Sequence, residues 1–209
     1  MSVSSPPQRF VLCADDYGLS PGVGTAIRDL IEQGRLSATS CMTVCPGWTD
    51  EAARLKPLAA RADIGLHLTL TDQAPLGPMK RLAPGGRLPP LGRLLRLSLG
   101  GGLDLAEIAA ELERQVDAFE AALGRKPDFL DGHHHVHQLP GVREIVLDLA
   151  ARRLRGSDPA DPQVRRRLAD FLLRRGFPQA VVWEALGRLS EGTLEGDDLE
   201  GADPEGDAV

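Results

Sequence analysis

The sequence predicts an α/β fold on a parallel sheet, and three observations carry that prediction. Segments with strand character alternate with segments of helical periodicity from Arg9 to beyond Leu149. The chain has 209 residues, 42% hydrophobic and 26% charged, which suits one globular domain with a sizeable core and excludes wholesale disorder. The residues most suited to chemistry, paired acids and clustered histidines, fall at or near the ends of strand segments, where ligands of parallel α/β folds bind.

Each element has a local reason. Arg9 to Ala14 (Arg-Phe-Val-Leu-Cys-Ala) reads as a short buried strand that stops at Asp15 and Asp16. Ser20-Pro21 then supplies an N-cap followed by proline at the first helical position. Val23, Ile27, Leu30 and Ile31 continue at helical spacing, and Gly34 suits the stop. Thr39, Thr43 and Val44 favour a second strand over Ala38–Cys45, which Pro46-Gly47 ends. A helix from about Thr49 to Ala60 follows, and Asp63–Leu70 reads as the third strand. Thr71–Gly102 breaks the rhythm with five prolines and seven glycines in 32 residues, the pattern of a lid or binding loop with few apolar anchors. It includes a short helical piece near Leu91–Ser98 and is expected to border a substrate groove and to be mobile. Asp104, with Glu107 three residues on, has capping-box spacing. Leu105, Ile108, Leu112, Val116, Phe119 and Leu123 then mark the clearest helix, stopped by Gly124. Pro127–Gly132 reads as the fourth strand, and a further helix runs from near Pro140 past Leu149.

Beyond Arg155 the alternation ends. Residues 156–162 read as a linker, followed by helices over Val164–Arg175 and Gln179–Leu189. The predicted division is a 1–155 α/β domain, a 156–190 helical segment and a 191–209 acidic, disordered tail. That tail holds eight of the 30 acids, which leaves 22 acids against 24 bases in residues 1–190. A body so nearly neutral, with only 4% aromatics, argues against a nucleic-acid partner. Three cysteines without ligand-like pairing (Cys13, Cys41, Cys45), no membrane-length apolar run and no signal-peptide pattern predict a cytoplasmic protein.

Three constellations carry chemistry. Asp15-Asp16-Tyr17-Gly18 places two carboxylates side by side after a strand, an arrangement that a metal ion can hold ionised and that an acidic helix-capping turn also explains. His67 sits in an apolar strand, as a ligand or as a hydrogen-bonded core histidine. Asp131-Gly132-His133-His134-His135-Val136-His137 puts four histidines in five positions, internal to the chain and unlike a tag. Asp131 is suited to orient one of the imidazoles. Together they compose a carboxylate–imidazole set of the kind that binds a hydrolytic metal and leaves positions for water and substrate.

Ala14-Asp15-Asp16-Tyr17-Gly18, Gly65-Leu66-His67-Leu68 and Asp131–His137, with Gly124-Arg125-Lys126-Pro127 before the fourth strand, resemble the YdjC/ChbG-type carbohydrate deacetylases in order and spacing. The likeness spans roughly Arg9 to Ala150. It implies a NodB-like distorted (β/α) barrel, here partial and followed by a divergent helical C-terminal segment. It also implies metal-dependent removal of N-acetyl groups from chitooligosaccharides or related amino sugars. Carried over by position, Asp16, His67 and His133 are the metal ligands, for one divalent ion (Mg2+ or Zn2+), and Asp15 is the general base. His137 is a candidate acid or substrate contact.

The chain also departs from that family. The resemblance implies late strands and a general-acid histidine in a Cys-His-Pro-like motif, yet no histidine follows His137 and no strand segment follows Asp131. Phe171-Leu-Leu-Arg-Arg-Gly-Phe177 instead resembles a helical unit of RecX-type recombination regulators, the pattern of a truncation, frameshift or fusion. Two alternatives to an active hydrolase therefore stand: an impaired remnant that binds sugar or metal without turnover, and a helical regulator of a DNA-bound partner. An incomplete barrel exposes apolar edges and favours association into a homodimer.

Overall fold

The computed structural model describes residues 10–154 and seven helical positions beyond them (166, 169, 179, 182, 183, 186 and 187). The chain divides into two units, Met1–Ala150 and Ala151–Val209. The linker, most of the two late helices and the acidic tail expected from the sequence lie outside the described residues.

Four strands, β1 (Cys13–Tyr17), β2 (Ala38–Cys41), β3 (Asp63–Leu68) and β4 (Leu130–Gly132), form one sheet in the order β1-β2-β3-β4. Every pairing is parallel. Strands laid down in sequence without a reversal follow the order of a barrel wall, whereas a doubly wound sheet reverses direction at its switch point. The helices between strands are α1 (Pro21–Glu32) and α2 (Trp48–Leu55); α3 (Leu91–Leu99) and α4 (Leu105–Leu123) precede β4, and α5 (Val142–Leu154) follows it. No helix among the described residues is long and apolar enough to cross a membrane.

Most elements form where sequence chemistry directs them. Ser20 caps α1 by accepting from the Val23 N–H at 3.3 Å, with Pro21 behind it. In α4 the apolar stripe Ile108, Leu112, Val116, Phe119 and Leu123 is buried against the sheet's core, and Gly124 closes the helix in the left-handed conformation at φ 71°. Differences gather at the edges. β1 begins later than the apolar run suggests and continues through both acids to Tyr17, while Phe10, Val11 and Leu12 are exposed. β2 and β3 end earlier than expected, at Cys41 and Leu68, although Met42 and Leu70 are fully buried.

The proline- and glycine-rich stretch is anchored more firmly than its composition implies. Met79, Leu82, Ala83, Leu88 and Leu94 are all buried. Carboxylates of α4 accept its backbone N–H groups: Glu111 from Leu76 (2.8 Å) and Gly77 (3.2 Å), and Glu107 from Arg81 (3.1 Å) and Leu82 (2.9 Å). The Glu107 side chain thus serves the loop, while its backbone N–H is the group that Asp104 caps at 3.1 Å. Gln115 completes the clamp by accepting from the Thr69 N–H at 2.9 Å and donating to its carbonyl at 2.8 Å. Buried donors and acceptors must be paired, and here the helix supplies the partners that a sheet would otherwise provide.

Candidate metal centre

The carboxyl ends of β1, β3 and β4 bring the predicted groups together. Between Ala14 and Tyr17, β1 advances three residues while its partner β2 advances two, which is the signature of a bulge. Asp16 lies there with φ 65°, a left-handed conformation costly for a non-glycine residue. Its Oδ1 meets His67 Nε2 at 3.2 Å and His133 Nδ1 at 2.9 Å. One ligand-type atom from each of Asp16, His67 and His133 falls within 4.8 Å of the other two.

His67 is held from behind. Its Nδ1 is 2.7 Å from Asp131 Oδ1, across the paired register position of β3 and β4, and 3.1 Å from Ser40 Oγ. A carboxylate only accepts, so Nδ1 carries a proton, and Nε2, on the Asp16 side, is the nitrogen that would ligate a metal. Burial works against a charged His67, but the hydrogen bond to Asp131 and the charges of Asp131, Asp15 and Asp16 outweigh it and raise its pKa. His133 goes the other way: burial, helped by the neighbouring His134 and His67 and opposed by Asp16, lowers its pKa. Burial and the Asp16 charge push the Cys45 thiol up to about 11.

The donor set fits a divalent ion. Ligands bonded at about 2.0–2.1 Å in a tetrahedral site lie about 3.3 Å apart, close to the separations at Asp16 Oδ1. Two imidazoles and one carboxylate also leave the remaining coordination positions open. Asp15 is exposed, and its Oδ1 accepts from Ser40 Oγ at 3.1 Å and Cys13 Sγ at 3.5 Å. Cys13, Asp15 and Asp131 form a second, adjoining group of ligand-type atoms.

The histidine run separates into different environments. His134 and His135 adopt left-handed conformations (φ 53° and 58°), which set them apart from their neighbours in the turn His133–Gln138. The His134 ring lies 4.0 Å from that of His133, and its Nδ1 is 3.0 Å from Thr71 Oγ1 at the start of the long loop. His137 folds back over Gly132, where an added Cβ would meet His137 Nδ1 at 2.7 Å and its backbone N at 3.0 Å. His137 is outside the group formed by Asp16, His67 and His133. Ser40 and Thr71 have no counterpart among the residues singled out from sequence; each lies beside other buried hydroxyl residues, Thr39 and Thr69, with no spacing to set it apart.

The YdjC-like protein family matches residues 9–195. A chitooligosaccharide deacetylase of Enterobacter sp. (strain 638) is 35% identical over 145 residues, which cover 69% of this chain and 56% of that protein. One from Yersinia pestis (strain Pestoides F) is 37% identical over the same length and shares. The chain thus spans about half the length of the curated relatives it matches. A solved protein from Enterococcus faecalis V583, described for cellobiose-phosphate cleavage, superposes with a TM-score of 0.59 at 26% identity, covering 68% of this chain and 55% of its own.

Proposed function

The chain belongs to the YdjC-like protein family, and from that membership we propose that it is a metal-dependent hydrolase removing N-acetyl groups from chitooligosaccharides or related amino sugars. The observation that carries this reading is the convergence of Asp16, His67 and His133 at the carboxyl ends of three parallel strands. Chitooligosaccharides and cellobiose share a β-linked gluco skeleton, but only the former offer an amide to hydrolyse. That chemistry, with the names of the deacetylase relatives, supports the acetamido sugar as the proposed substrate.

In this reading Asp16, His67 and His133 hold one divalent ion, zinc or magnesium. When bound, such an ion supplies Lewis acidity toward the acetyl carbonyl and lowers the pKa of water. The chain's own residues do the rest. Asp131 keeps the His67 proton on Nδ1, so Nε2 stays available as a ligand. Asp15 takes the proton of the attacking water; such a base must reach it within about 3.2 Å, directly or through one water. The water oxygen bonds to the acetyl carbon, the C–N bond breaks, and the amine leaves with a proton. His137, seated over Gly132 at the end of β4, is the candidate acid or substrate contact.

The test is acetate release from di-N-acetylchitobiose by chelator-treated protein as Zn2+ or Mg2+ is restored. Turnover should return with the ion and be absent in Asp16→Asn. Retention of full activity after exhaustive chelation would refute the metal reading. Ion and sugar binding with no acetate release would refute the hydrolase and leave the impaired remnant.

A further inference from the structure

One polar residue from each strand joins a single hydrogen-bonded line across the sheet: Asp15 of β1, Ser40 of β2, His67 of β3 and Asp131 of β4. Its proton directions follow from chemistry. Asp131 accepts only, so the short 2.7 Å contact requires the proton on His67 Nδ1. Ser40 Oγ, 3.1 Å from that same nitrogen, can then only accept there. Its one proton is left for Asp15 Oδ1, also at 3.1 Å. Ser40 is fully buried in a strand flanked on both sides, so its hydroxyl has no water to turn toward.

We propose that Ser40 is a positioning residue that fixes the Asp15 carboxylate beside His67, in a direction set from the far end of the line by Asp131. The proposal rests on the hydrolase reading for its catalytic consequence, though not for its geometry. Cys13 Sγ, at 3.5 Å from the same Asp15 oxygen, is a weaker donor and does not replace a hydroxyl. Because Asp131 still holds His67 when Ser40 is changed, the base and the metal ligand respond differently to its loss.

Ser40→Ala removes the hydroxyl at almost no change in volume. With di-N-acetylchitobiose, its kcat should fall about tenfold or more, the usual scale for residues that orient a reacting group. KM and the affinity for Zn2+ alone, by titration calorimetry, should stay within about threefold of wild type, short of that scale. Ser40→Cys keeps a weak donor and should fall between the two. A crystal structure of Ser40→Ala should show the Asp15 carboxylate turned away from its wild-type place. An unmoved Asp15 with wild-type kcat overturns the proposal, as does a loss confined to Zn2+ affinity. Should the wild type release no acetate, the hydrolase reading fails, and the crystal structure alone decides for or against the positioning role of Ser40.

Discussion

Replacing Asp131 by Asn isolates what the carboxylate behind His67 contributes. Asp131 and His67 are 1% and 4% exposed, so their 2.7 Å hydrogen bond is sheltered from water. A hydrogen bond to a charged group is worth about 1.5–3 kcal/mol, and Asn retains a neutral acceptor worth about half of that. The loss is then about 0.75–1.5 kcal/mol, which corresponds to about a fourfold to tenfold weaker hold on Zn2+, reaching the lower end of the range for such supporting partners. Titration calorimetry of the metal-free protein with Zn2+ measures it directly. A second readout is the titration of His67 by NMR without metal. Its pKa is raised in the wild type, so it contributes stability that is full below the unfolded value of about 6.5 and lost as pH rises through the folded value. In Asp131→Asn the two largest influences that raise it are lost, so the pKa should fall and the acid-side advantage of the wild type should shrink. Zn2+ affinity within twofold of wild type, with His67 still titrating high, would refute the argument that Asp131 orients this imidazole.

The same structure predicts three further outcomes. Asp15→Asn should abolish acetate release while leaving Zn2+ affinity largely intact, whereas Asp16→Asn should weaken Zn2+ binding itself; wild-type turnover in Asp15→Asn with saturating metal would remove Asp15 as the base. Glu111→Gln replaces one acceptor oxygen by an amide NH2, which then faces either Leu76 N and Gln115 Nε2 or Gly77 N and Arg114, and the loss of the charge beside Arg114 should bring the cost to about 3 kcal/mol in urea unfolding. Because that loop starts at Thr71 beside His134, KM should rise as well. Gly65→Ala puts a methyl 2.3 Å from the Phe129 ring and should destabilise by about 1–3 kcal/mol, measurable as a lowered Tm, unless the ring can swing aside.

How much was legible depended on whether the signal was local. The α4 stripe, the Ser20-Pro21 cap and the Gly124 stop are set by neighbours within a few residues, and each forms as its spacing predicts. The boundary of β1 was not local. Phe10-Val11-Leu12 has strand-forming side chains, but pairing is made by backbone groups, and the ladder with β2 begins at Cys13 and Ala14 and resumes at Tyr17 beyond the bulge that holds Asp15 and Asp16. Within Asp131–His137 the residue types identify a ligand-rich turn without ranking its histidines. Left-handed backbone at His134 and His135 does the ranking, and it leaves His133 facing Asp16. Ser40 was hidden because one serine in a strand has no spacing to betray it. Its role exists only where three strands meet.

Asp15 and Asp16 are adjacent, yet the proposed chemistry asks one to hold a cation and the other to take a proton. A regular strand would turn them to opposite faces, since side chains alternate along it. The bulge between Ala14 and Tyr17 breaks that alternation, and the left-handed Asp16 swings its carboxylate to His67 and His133. Such a conformation costs about 1–3 kcal/mol and persists only where surrounding contacts hold it. Here the contacts are visible. Two imidazoles meet Asp16 Oδ1, while Tyr17, the next residue, is fully buried with its hydroxyl donating to the Glu51 carbonyl at 2.8 Å and accepting from Arg28 at 2.7 Å. Glu51 and Arg28 are in turn ion-paired across α1 and α2, so the strand is clamped one residue beyond the strained one. Asp15, on the near side of the bulge, is held by Ser40 instead. Two adjacent carboxylates thus acquire separate partners and separate directions, which is what allows one to stay a ligand and the other a base.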